Sequence, residues 1–327
     1  MDPDTPKWST EPTSRNGSLE TSYLLCELQH RITIWVLLII AVVGLAGNAV
    51  VLWLLGFRMR RNAFSVYILN LAVADFLYLC CCIVSALTMK PFYLSYDVSL
   101  ILVPVGTFSY FTGLSMLSAI STERCLSALW PIWYRCHRPR HMSAVVCALL
   151  WALSLLLSTL DFFICYFWIE FIELYLCPIL EFIISTCLMV LFVILCGSSL
   201  ALLTRFLCGS RGTRMTRLYL TMLLTVLVFL VCGLPWGVYW FLLFWINVDI
   251  DFPCYFVEVS IMLSCVNSSA NPLIYFFIGY FRQQRQGRRQ TLKMILERAL
   301  QDTPEGKDCG DSLPQETLEL SESRWVQ

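Results

Sequence analysis

Two acidic residues in this chain stand at mirrored distances from two cysteines. Asp161 lies four residues before Cys165 and Glu181 lies four after Cys177, with 11 residues (166–176) and no basic side chain between the cysteines. On helices, positions i and i+4 share a face. Each carboxylate therefore sits about one turn, roughly 5.4 Å along the axis, from its cysteine. A disulfide is chemically allowed in an oxidising compartment and would hold the two Cα atoms about 4.4–6.8 Å apart. Such a bridge would bring both acidic faces together. Two carboxylates in a medium of reduced dielectric repel, and a guanidinium or ammonium ligand relieves that repulsion. The alternative is that one acid faces lipid headgroups while the other caps a helix.

A second set of polar residues interrupts apolar sequence: Asn48, Asp75, Glu123-Arg124, Asn271-Pro272 and Tyr275. Ionisable side chains are costly in hydrocarbon and mark function there. Glu123-Arg124 could be an ion pair with work to do, or charges snorkelling from a helix end. Pro272 removes a backbone donor and kinks its helix, and polar side chains just before it can re-satisfy the freed carbonyl. The three histidines (His30, His137, His141) form no ligand cluster, and no nucleophile is paired with a base. The expectation is a protein without catalysis, metal or cofactor.

Positioning these residues falls to membrane helices. The chain has 327 residues, 58% hydrophobic and 14% charged, against about a quarter charged in soluble domains. Seven apolar runs stand near 32–56, 64–89, 99–125, 143–167, 178–206, 216–245 and 255–280. About 20 residues cross a hydrocarbon core of roughly 30 Å. The connections are short, and neither an internal repeat nor a matched pair of broken half-helices is present, as many transporters would have. The expected fold is an all-α membrane protein, a seven-transmembrane helix bundle with a short membrane-surface helix after the seventh span. Residues 1–31 form an amino-terminal segment without a signal-peptide pattern, 32–281 the bundle, 282–300 the amphipathic juxtamembrane helix and 301–327 a disordered tail. The surface helix follows from Leu292, Ile295, Leu296, Ala299 and Leu300, with Arg288, Arg289 and Lys293 toward anionic lipid.

Arginine sets the orientation. Arg58, Arg60 and Arg61, Arg135, Arg138 and Arg140, Arg205, Arg211, Arg214 and Arg217, and the Arg282–Lys293 cluster all fall on one side of the bundle. By the positive-inside rule that side is cytoplasmic and the amino terminus is extracellular. The sequon at Asn16 then lies outside and is a candidate glycosylation site. Tyr110, Phe162, Phe163, Trp236, Tyr239, Trp240 and Trp245 lie toward the outer half. They could add cation–π contacts to a cationic ligand, or simply form the aromatic girdle of a membrane interface. Cys26 and Cys254 could bridge the amino segment to the last outer loop. Thr303, Ser312, Thr317, Ser321 and Ser323 are candidate phosphorylation sites in the tail, where added charge could recruit arrestin.

Asn48 after Gly47, Leu71-Ala72-Val73-Ala74-Asp75, Glu123-Arg124-Cys125, Trp151, Pro235 and Asn271-Pro272-Leu273-Ile274-Tyr275 fall in successive spans. The set resembles the rhodopsin-like class of G-protein-coupled receptors. Arg58-Met59-Arg60-Arg61-Asn62-Ala63-Phe64, Trp130-Pro131-Ile132-Trp133-Tyr134-Arg135-Cys136, Leu207-Cys208-Gly209-Ser210, Thr216-Arg217-Leu218-Tyr219 and Arg298-Ala299-Leu300-Gln301-Asp302 narrow the resemblance to the Mas-related receptors, X-type above all. The resemblance implies that Arg124 reaches the G protein when its pairing with Glu123 loosens. It also implies that Asp75 and Asn271 form a polar switch, and that Tyr275 swings inward on activation. It further implies that Asp161 and Glu181 anchor cationic ligands (basic peptides and amphiphilic amines) and that Cys165 and Cys177 are bridged. Calcium release, and a setting in itch, nociception or mast-cell activation, come from the same likeness. The sequence departs from the class in four places, the first being that no Cys lies between Asp97 and Val103, where most receptors of the class make a disulfide. Cys125 replaces the usual Tyr, Gly233 stands where span six usually carries Trp, and Gly113 lies where a third-span Ser often helps a sodium ion beside Asp75. Rival readings are a cation- or proton-coupled transporter with Asp75, Asp161 and Glu181 as its relay, and a receptor for lipid or adenine-like ligands with structural acids.

Overall fold

The structure is a computed structural model that describes residues 15–58, 63–88, 96–139, 141–167, 176–208, 224–235, 237 and 256–284. Among these residues every regular element is helical. Span one is the helix Arg15–Trp53, continued by a π-helical turn over Leu54–Arg58. Span two is Ala63–Thr88, span three Tyr96–Leu129, span four Met142–Asp161, span five Leu176–Cys208 and span seven Phe256–Gln284. Span six is described as an apolar helix over Leu224–Gly233. A short helix, Pro131–Cys136, joins spans three and four, with proline in its first turn, where the missing N–H costs nothing. The expected surface helix and tail lie outside the described residues.

Span one starts earlier than the boundary expected at residue 32. After Pro12 the sequence holds no proline to break a helix before the apolar run begins, so the helix propagates from Arg15 into the span.

The surface pattern is inverted relative to a water-soluble protein. Trp35, Ile39, Val42 and Val43 of span one, Leu149, Leu153 and Leu156 of span four, and Val190, Val193 and Leu200 of span five are exposed. Asn48, Asp75, Ser109, Thr112, Ser115, Ser118, Ser121 and Asn271 are buried. Lipid accepts the apolar face, and polar groups must find partners inside. Among the described residues, five helices are long and apolar enough to cross a membrane. Span seven is less apolar because Asn267, Ser268, Ser269 and Asn271 occupy its buried face.

Small residues let the helices approach. Span three packs against spans two, four and five. Its serine face meets span five through Ser118 Oγ, which donates to the Leu191 carbonyl (3.0 Å), and through Ser121 Oγ, 2.6 Å from Ser198 Oγ. A Cβ added at Gly44 would lie 2.0 Å from Ser269 Oγ, so only glycine lets span one reach span seven there. Trp151 Nε1 donates to Asn70 Oδ1 (2.9 Å) and ties span four to span two.

Pro272 leaves the carbonyl of Ser268, four residues earlier, without its helical donor. Asn48 of span one fills the vacancy: its Nδ2 donates to the Ser268 carbonyl at 3.1 Å and to the Gly44 carbonyl at 3.0 Å. The kink is therefore repaired from a neighbouring helix rather than by the serines beside it.

Candidate functional site

One end of the bundle carries Cys165 and Cys177 and is the cystine end; the other carries Arg58 and Arg138 and is the basic end. At the cystine end the two cysteines are joined in a disulfide with Cα atoms 5.2 Å apart. Span four arrives there by a change of winding, since Phe162–Phe167 forms a π-helical turn directly after Asp161. A π turn is slightly wider than an α turn, and four residues remain close to one revolution. Asp161 thus keeps its place about one turn below Cys165.

Across the bridge, a Glu181 carboxylate oxygen and the two cystine sulfurs all lie within 4.8 Å of one another. Both sulfurs are spent in their mutual bond, so the trio offers no thiolate to a metal. Asp161 lies within electrostatic reach of Glu181. Both acids are half-buried, and neither has a basic partner among the described residues. Phe162 packs edge-on against Phe163 at 5.6 Å beside them.

Tyr110 of span three lies deeper. Its hydroxyl donates to the Gly233 carbonyl of span six (3.1 Å), and its ring lies 6.4 Å from that of Tyr78. It also lines a cavity of about 20 Å³ with Ser185, Met189, Phe229 and Gly237. Ser185 stands one turn from Glu181 along span five, so this cavity lies about one turn away from the acids. Trp236, Tyr239, Trp240 and Trp245 lie outside the described residues, as does the Cys254 of the suggested second bridge; the side chains of Asn16 and Cys26 are likewise not described.

The middle of the bundle holds Asp75, whose Oδ2 accepts from Asn271 Nδ2 at 2.8 Å. The structure thus brings these two residues of spans two and seven into direct contact. A Cβ at Gly113 would lie 3.8 Å from Asp75 Oδ1, an ordinary van der Waals contact, so a small side chain would fit there. Tyr275 is already buried within the core cluster.

At the basic end one expected contact is replaced. Glu123 does not pair with Arg124. Its Oε1 accepts from Arg138 Nε and from the Tyr134 hydroxyl (3.0 Å), both in the segment joining spans three and four. Arg124 instead lies with its guanidinium over the Phe64 ring, 3.4 Å from the centroid. The reason is geometric. Consecutive residues on a helix point about 100° apart, so Arg124 would have to bend back to reach Glu123, while the chain just past the short helix brings Arg138 directly onto it. Sequence marks Arg138 only as one of the basic residues that orient the chain. Arg138 lies two residues past the helix that carries Tyr134, so helical spacing does not mark the two as partners of one carboxylate.

The chain matches the family model described as 7 transmembrane receptor (rhodopsin family) over residues 47–275. It is 56% identical over 330 residues to Mas-related G-protein coupled receptor member X2 of Macaca mulatta and 55% identical over 330 residues to that of Homo sapiens. It is also 56% identical over 328 residues to Mas-related G-protein coupled receptor member X1 of Homo sapiens, and in all three alignments the whole of both chains is covered. This chain is a Mas-related receptor of the rhodopsin family.

Within that family frame, the Gly233 departure has a structural cause. A Cβ at Gly233 would lie 2.6 Å from the Phe229 ring and 3.3 Å from Asn267. Phe229–Gly233 is wound as a π-helix, and the Leu234 N–H returns to the Phe229 carbonyl. Phe229 thus fills the space into which a Gly233 side chain would project, and this Mas-related receptor has no room for an aromatic switch there. Cys125, in place of the usual Tyr, is buried beside Arg124 in sequence and adds no hydroxyl.

Proposed function

We propose that this Mas-related receptor sits in the plasma membrane with its amino terminus outside, binds cationic ligands at the cystine end and activates heterotrimeric G proteins at the basic end. The observation that carries the reading is the pair Asp161 and Glu181, held beside one disulfide without a basic partner among the described residues. Carboxylates withdrawn from water need a compensating cation. A guanidinium or ammonium group entering from solvent would supply it and gain charge-assisted hydrogen bonds to both.

The ligands are basic peptides and amphiphilic amines. Phe162, Tyr110, Trp236, Tyr239 and Trp240 supply the apolar and cation–π surface around the anchor. Asp75, Asn271, Pro272 and Tyr275 carry the transmission between the two ends, and Glu123 and Arg124 address the G protein. The G-protein classes are those that raise calcium and those that inhibit adenylyl cyclase, with itch, nociception or mast-cell activation as the outcome. A glycan at Asn16 and arrestin recruitment by a phosphorylated tail complete the reading.

The test is calcium release in transfected cells exposed to a panel of basic peptides. Asp161→Ala and Glu181→Ala abolish the response at unchanged surface expression, and G-protein inhibition silences it. Unchanged potency in both variants defeats the cationic site, and a substrate-driven current that survives G-protein inhibition defeats the receptor reading in favour of transport.

A further inference from the structure

The Glu123 carboxylate is an unusual place to find a loop arginine. Glu123 is only 5% exposed. It nevertheless collects two donors from outside its own helix, Arg138 and Tyr134. Arg138 is itself withdrawn from solvent, with a side chain 8% exposed. Its second terminal nitrogen donates to Ser143 Oγ at the start of span four, and its guanidinium lies 5.2 Å from the Tyr134 ring. One side chain therefore ties span three, the short helix Pro131–Cys136 and span four together. Burial and the neighbouring Glu123 push the Tyr134 hydroxyl up to about 12. It stays a proton donor to that carboxylate across physiological pH.

Arg124 is the other cation adjacent to Glu123 in sequence. Its guanidinium lies instead against Phe64 of span two. A buried carboxylate stripped of one partner draws in another nearby cation, because leaving it unpaired costs more than rearranging a side chain. Arg138 thus takes the place of Arg124 as the counter-ion of Glu123.

We propose that Arg138 is a positioning residue for G-protein coupling. By occupying the Glu123 carboxylate together with Tyr134, it keeps Arg124 off that carboxylate and holds the loop helix in register with span three. Loss of Arg138 draws Arg124, itself only 4% exposed, onto Glu123 and withholds it from an incoming G protein. The inference rests on the proposed coupling at the basic end and is independent of what the cystine end binds.

The experiment uses the full chain in lipid nanodiscs without agonist. It measures affinity for a purified, nucleotide-free heterotrimeric G protein of the calcium-raising class. Arg138→Gln weakens binding about tenfold, Arg138→Lys stays within about threefold, and adding Glu123→Gln to Arg138→Gln returns binding to the level of Glu123→Gln alone. A purely structural arginine would lower thermal stability and leave the affinity of the folded receptor unchanged. Native affinity in Arg138→Gln overturns the proposal, as does a double variant as weak as Arg138→Gln, or absence of binding by the unmodified chain. Should Arg138→Gln fail to fold, two comparisons decide in its place: Arg138→Lys with the unmodified chain, and the double variant with Glu123→Gln. Because no ligand is present, a silent peptide screen with an intact Arg138 effect condemns only the cationic site, and the converse condemns only this inference.

Discussion

At the cystine end Asp161 and Glu181 lie beside a disulfide with no basic partner among the described residues. At the basic end Glu123 has a guanidinium and a phenol hydroxyl already on it. The same chemical group meets opposite treatment in one bundle. Asp161 and Glu181 are only half-buried, and under the proposed function an external cation supplies what the fold withholds. Nearly complete burial of Glu123 leaves no route for an external cation, and the chain supplies its own. A carboxylate provided with its counter-ion organises the protein, and one left without is available to a ligand.

The most severe way to break this contrast is to remove the acids that lack a partner. Asp161→Asn and Glu181→Gln keep shape and lose charge, and each is expected to cost about 3 kcal/mol in binding a basic peptide, on the order of a hundredfold in potency. Calcium dose–response curves at matched surface expression check this, and agonist-free G-protein affinity should stay native. The complementary change is Glu123→Gln. It should leave peptide binding intact and alter basal nucleotide exchange, because the partnered acid serves the other end.

Next in size is the bridge. Cys165→Ser and Cys177→Ser should weaken potency alike, and the double variant should be no worse than either, with stability falling by about 2–3 kcal/mol for a loop this short. Unequal single effects would mean that the two cysteines are not acting as partners.

The core between the ends gives two smaller tests. Gly233→Ala places a Cβ 2.6 Å from the Phe229 ring, and overpacking of this kind costs about 1–3 kcal/mol. Thermal unfolding in detergent should show the loss, and Phe229→Leu should recover it. Asn48→Ala strips the donor from the Ser268 carbonyl and should cost about 1–2 kcal/mol. A native midpoint would show that the Pro272 kink needs no help from span one.

Much of the fold was legible in the chain. Apolar length located each described span, because a hydrocarbon core tolerates no other solution for a run of that size. Mirrored spacing around Cys165 and Cys177 was equally legible, since i and i+4 geometry is local and survives even the π-helical turn after Asp161. The start of span one was less so: composition marks where lipid begins, and helix winding does not stop at that point. The partner of Glu123 was not legible. Adjacency in sequence suggested Arg124, yet adjacent helical residues diverge, and the partner that won came 15 residues later through a loop.

By itself, then, the sequence determined the number and course of the membrane helices, the family to which the chain belongs and the placing of two acids one turn from two cysteines. These are consequences of solvent, helical period and motif, all written along the chain. Tertiary structure alone decided which donor reaches which acceptor. It gave Ser268 its bond from Asn48, filled the space beside Gly233 with Phe229, and set Arg138 rather than Arg124 on Glu123. Those choices depend on how closely two helices approach and at what rotation. No residue carries that quantity by itself.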